Sequence, residues 1–121
     1  MKTLKDIARA EVGAVLRELP ADVRREVVGI PVVCDDLPSS EMVRDGVAKD
    51  TLGLLLGGNR NEAGGGCITI PVQVFLFMEN VWAEAEGDLK VFREEIRITY
   101  LHELGHYLGL EEDDMECRGL L

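Results

Sequence analysis

The sequence predicts an α+β domain, and three observations carry that prediction. An amphipathic helical pattern opens the chain, short apolar runs bounded by turn residues fill its middle, and a long capped helix lies near its end. Such an order favours helices laid on one side of a small mixed sheet. The 121 residues fall in the single-domain range, so one domain over residues 1–121 is expected. A hydrophobic content of 46% is sufficient for one core.

The elements follow in order. Over residues 3–19, Leu4, Ile7, Ala8, Val12, Val15, Leu16 and Leu19 recur at helical spacing, which predicts a helix with its apolar stripe in the core. Residues 20–27 read as a second short helix with Pro20 in its first turn. The β-branched run 28–34 reads as a strand. Residues 35–49 read as a loop with one helical turn. Residues 52–56 form an apolar strand, 57–61 a turn, and 67–71 another short strand. In 72–85, Phe75, Leu76, Met78, Val81 and Trp82 are spaced as a helix face. Asp88 after Gly87 is an N-cap and Gly109 a stop, which delimits a helix of roughly 20 residues, about 30 Å long. Its first half shows Lys90, Arg93, Glu94 and Arg97 on one side and Phe92 and Ile96 on the other. Its last turns carry an apolar stripe of Leu101, Leu104 and Leu108.

Composition excludes several classes. Thirteen basic against 23 acidic residues give a net charge of −10, which argues against nucleic acid or an anionic membrane as partner. No run approaches the roughly 18 apolar residues that span a bilayer. Lys2, Lys5, Asp6, Arg9 and Glu11 interrupt any apolar segment at the start, so no secretory signal is expected. Cys34, Cys67 and Cys117 are odd in number and widely spaced, as suits a reducing, cytoplasmic compartment. Cys34 and Cys67 sit in apolar runs and read as buried thiols. The run Gly64, Gly65, Gly66 lacks the Lys-Ser/Thr that a phosphate-binding loop needs, and reads as a flexible connection.

The only two histidines lie in the sequence His102-Glu103-Leu104-Gly105-His106. On a helix they stand about 40° apart in projection and roughly 6 Å apart along the axis. Two imidazoles so placed can converge on one ion. Glu103, beside them, can reach a water on that ion without being a ligand itself. A catalytic zinc takes three protein ligands and keeps one position open. Gly109 can turn the chain back after the helix, and Glu112 follows three residues later. The expected site is therefore His102, His106 and Glu112 as zinc ligands, with Asp113 competing for the third place and Glu103 as general base. His and carboxylate donors also accept Fe²⁺, Mn²⁺ or Ni²⁺.

This pattern resembles that of the zincin metallopeptidases and lies near the metzincin variant, in which a third His or Asp stands in the place of Glu112. Over most of its length the chain is similar to a family of small bacterial zincin-like metallopeptidases. The shared pattern runs through the N-terminal helix, the turns Leu19-Pro20 and Asp36-Leu37-Pro38, the strand around Leu52-Gly53-Leu54, the Ile-Thr-Ile strand and the motif helix. Glu112 departs from it, since Asp is expected there. The resemblance implies a minimal zincin-like fold and zinc-dependent cleavage of peptides or unfolded proteins. It also implies that substrate lies along an edge strand, for which Ile68, Thr69 and Ile70 are the candidates. A metal hydrolase of non-peptide amides or esters and a metal-binding interaction module remain as alternative readings. The sequence leaves the oligomeric state open.

Overall fold

The computed structural model describes residues 2–57 and 71–109. Eight elements lie in these two segments. Helix α1 (Leu4–Glu18), helix α2 (Ala21–Val27) and strand β1 (Val32–Asp35) come first, followed by helix α3 (Ser40–Arg44) and strand β2 (Gly53–Leu56). Strand β3 (Gln73–Phe77), helix α4 (Met78–Glu84) and helix α5 (Leu89–Tyr107) complete the order.

The sheet is mixed, as expected, with strand order β1-β3-β2. β1 runs parallel to the central β3, with Val32 opposite Val74 and Cys34 opposite Leu76. β2 runs antiparallel to β3, with Leu55 opposite Val74 and Gly53 opposite Leu76. Side chains alternate across a sheet, so these pairs form two rows on one face: Val32–Val74–Leu55 and Cys34–Leu76–Gly53. That face closes the core with Ile7, Ala8, Val12 and Val15 of α1, Val23 and Val27 of α2, Met78 and Val81 of α4, and the buried seam of α5. Helices α1, α2, α4 and α5 thus share one side of the sheet. On the other face, Phe75 and Phe77 stack with ring centroids 6.2 Å apart.

Local chemistry sets the helix ends. Thr3 and Asp6 form a capping box at the start of α1, each side chain bonding the other residue's backbone N–H. The Asp88 carboxylate accepts from the backbone N–H groups of Lys90 and Val91, as its N-cap reading required. Gly109 has φ +74°, the left-handed conformation that stops a helix. Along α5 the residues Phe92, Ile96, Tyr100, Leu104 and Leu108 make the buried seam. Trp82 of α4 packs edge-to-face on Phe92 at 5.8 Å. On the outer flank of the seam, Arg97 pairs with Glu11 and Glu18 of α1, and Arg93 approaches Glu11. Among the described residues no helix is long and apolar enough to cross a membrane.

Two expectations need correction. Residues 72–85 are not one helix: Gln73–Phe77 is the central strand, and the chain passes without a loop into α4. A strand paired on both edges and buried on both faces loses the alternation that would reveal it. The strand expected over 28–34 starts only at Val32. Val28 caps α2 and is exposed, Ile30 bonds back to Val27, and Pro31 has no N–H to give a ladder. The one helical turn expected within 35–49 is α3. The strand expected at 67–71 lies outside the described residues.

Candidate active site

The polar trio of the sequence motif sits in the last two turns of α5. The rings of His102 and His106 approach to 4.3 Å between centroids, inclined at 69°. The helical interval of four residues brings them together, with no intervening element. Glu103 Oε2 lies 3.3 Å from His106 Nδ1. The three residues differ in exposure: the His106 side chain is 47% accessible and that of Glu103 10%. Glu103 therefore borders the core, one position before Leu104 of the buried seam. Leu101, expected in that seam, is only half-buried.

A cleft of about 260 Å³ runs from His102 and Glu103 toward the start of α5. One wall is the α5 face carrying Glu95, Ile98, Thr99, His102 and Glu103; the other is Leu52 and Gly53, where the chain enters β2. These α5 residues recur at intervals of three and four, so they lie along one strip of the helix. Gly53 permits the close approach of the two walls. A Cβ there would stand 2.5 Å from Thr99 Cγ2 and 3.1 Å from the Phe75 carbonyl oxygen. Asn80 of α4 fixes the approach to β2, donating through Nδ2 to the carbonyls of Lys49 at 2.8 Å and Thr51 at 2.9 Å. Within the described residues β2 has one strand neighbour, β3, and so forms an edge of the sheet.

Residues 27–120 match the family model described as Zincin-like metallopeptidase. The chain belongs to this family. No curated protein matches it. The zincin-like match begins at the end of α2, so α1 precedes it, yet Ile7, Ala8, Val12 and Val15 are part of the same core.

Among the described residues of this zincin-like chain, no group of three or more His, Cys, Asp or Glu is placed to hold a metal. His102 and His106 supply two imidazoles side by side. Glu112 and Asp113, expected to add the third donor, lie outside the described residues, as does the edge strand Ile68, Thr69 and Ile70. Cys67 and Cys117 lie there too. Cys34 is buried and unpaired by disulfide, as its apolar run implied, and burial pushes its thiol pKa up. Tyr100 lies 1% exposed in the core, on the buried seam of α5 and away from the two imidazoles.

Sequence reasoning missed the cleft walls. Counting back from His102 by three and four residues reaches Thr99, Ile98 and Glu95, so one wall was accessible to a helical projection. Gly53 inside a strand was the other signal, since a strand glycine marks close approach of a second element.

Proposed function

We propose that this zincin-like domain is a zinc metallopeptidase, with His102 and His106 holding the metal together with Glu112 or, in its place, Asp113. The chemistry of the donors suits the ion: two neutral imidazoles and a carboxylate form a recurrent catalytic zinc set. The reading is carried by the paired imidazoles at 4.3 Å, with the Glu103 carboxylate 3.3 Å from His106, at the end of a cleft. When bound, zinc would polarise a substrate carbonyl and make water acidic enough to deprotonate near neutral pH.

The chain's own residues do the rest. Glu103 carries Oε2 3.3 Å from His106 Nδ1, so Nε2 is the nitrogen of that ring we assign to the metal. The other oxygen of Glu103 takes a proton from the attacking water and returns it to the departing amine. Low exposure of Glu103 keeps bulk water from competing for that oxygen. The substrate is a peptide or an unfolded segment, taken in extended form at a sheet edge; Ile68, Thr69 and Ile70 remain our candidates for that strand. We read the chain as one domain over 1–121, since α1 shares the core of the family-matched part, and as cytoplasmic in location.

The test is Glu103→Gln, assayed with a mixed peptide panel after zinc loading. Wild type should cleave, and the variant should retain zinc while losing 10²- to 10⁴-fold in turnover. Equal turnover by both proteins would remove Glu103 from its role. Hydrolysis of amide or ester model compounds without any peptide cleavage would transfer the chemistry to another substrate class.

A further inference from the structure

The cleft extends along α5 beyond His102 and Glu103, and its far end carries a charge that its own helix does not compensate. Glu95 is half-buried in the α5 wall. The arginines two residues to either side, Arg93 and Arg97, turn toward Glu11 and Glu18 of α1 instead. Among the described residues no ion pair or hydrogen bond engages the Glu95 carboxylate, and none of those lining the cleft is a lysine or arginine. Between Glu95 and His102 stands Ile98, 52% exposed despite being a large aliphatic residue, with Leu52 on the facing wall. An apolar strip followed by a lone carboxylate is complementary to a peptide with the same order of groups.

Helix geometry gives the spacing. Glu95 lies about 10 Å from His102 along the axis of α5, at 1.5 Å per residue. An extended peptide advances about 3.3 Å per residue. We propose that Glu95 and Ile98 determine specificity: the cleft takes an extended peptide with an apolar side chain beside the cleaved bond and a lysine or arginine about three residues further along. Ile98 and Leu52 shelter the apolar side chain, and the Glu95 carboxylate accepts from the cationic group. This rests on the reading of His102, Glu103 and His106 as the reacting centre.

Binding and cleavage are measured separately so that the two readings can fail independently. Zinc-loaded, full-length Glu103→Gln is titrated with fluorescent peptides in which lysine, glutamine or glutamate occupies each position flanking a central leucine, and anisotropy is followed. The lysine peptide should bind about tenfold or more tightly than its glutamine counterpart at one position near the third, with glutamate weakest. Adding Glu95→Gln should bring the lysine and glutamine peptides to equal affinity. Adding Glu94→Gln removes the same charge from the neighbouring exposed position, and the preference should remain, which separates the cleft from the field of a chain at −10. Ile98→Ser should weaken all three peptides together. Equal binding of the three peptides, absence of binding, or a lysine preference that survives Glu95→Gln overturns the assignment. Wild-type cleavage without charge preference would overturn it while leaving the peptidase reading standing; charge-selective binding with no wild-type cleavage would support it and sink the peptidase reading.

Discussion

Tyr100 brings a hydroxyl into the core of this protein and finds no hydrogen-bond partner for it among the described residues. A buried polar atom left unpaired costs about 1–3 kcal/mol, so Tyr100→Phe should leave stability unchanged or raise it, read as the urea midpoint at neutral pH. A lowered midpoint would mean that the hydroxyl is satisfied after all. Burial also pushes the Tyr100 pKa up to about 12 from an ordinary value of 10. The folded protein therefore keeps this proton where the unfolded chain releases it. Stability from this residue is intact below pH 10 and falls as pH rises from 10 to 12, by up to roughly 3 kcal/mol in all. The wild type should lose stability over that window more steeply than Tyr100→Phe, and parallel curves for the two proteins would refute the assignment. Gly53 poses the opposite problem, of space. Gly53→Ala sets a methyl 2.5 Å from Thr99 Cγ2 and should destabilise by about 1–3 kcal/mol. Thr99→Ser removes the opposing methyl and should recover part of that loss in the double variant; strict additivity would show that the two residues do not meet.

At the scale of elements, α5 was legible because its signals are local. The Asp88 cap, the Gly109 stop and the spacing of Phe92, Ile96, Leu104 and Leu108 all lie within one stretch of chain. The same locality exposed His102, Glu103 and His106. β3 was not legible, because a central strand covered on both faces shows no alternation and, after Gln73, no polar residue, and Phe75, Leu76 and Met78 imitate a helical face. The cleft was half legible: Glu95, Ile98 and Thr99 follow from the α5 repeat, whereas the facing wall depends on β2 crossing that helix, a contact between residues more than forty apart in sequence. Asn80 belongs to the same long-range class. Its amide ties α4 to the carbonyls of Lys49 and Thr51 at the entry to β2. Asn80→Ala should cost about 1–3 kcal/mol by leaving both carbonyls without their donor. Asn80→Asp should cost more, since a carboxylate then faces two carbonyl oxygens. Denaturant midpoints in that order would support the clamp, and an Asp variant as stable as wild type would exclude it.

At the scale of the whole molecule, the core unites α1, which precedes the family-matched region, with the sheet and α5. The proposed metal would add a tie at the far end of α5, joining the helix to the acidic segment after Gly109. An ion that binds only the folded chain stabilises it by RT ln(1 + [L]/Kd), about 2.7 kcal/mol at a hundredfold excess over Kd. For a domain of this size that corresponds to a rise of roughly 10 °C in Tm. Zinc should therefore raise the Tm of wild type, and a chelator should reverse the rise. His106→Ala removes one of the two adjacent imidazoles and should abolish the shift. Glu112→Ala and Asp113→Ala then decide between the two candidate third ligands: the true ligand's variant should show a shift that saturates only at higher zinc, while the other behaves as wild type. Glu103→Gln should keep the full shift, since it is assigned to proton transfer and not to the ion. A wild-type Tm that ignores zinc would leave the paired imidazoles without a metal and remove the basis for zinc chemistry. A shift that persists in His106→Ala would move the ion elsewhere in the molecule.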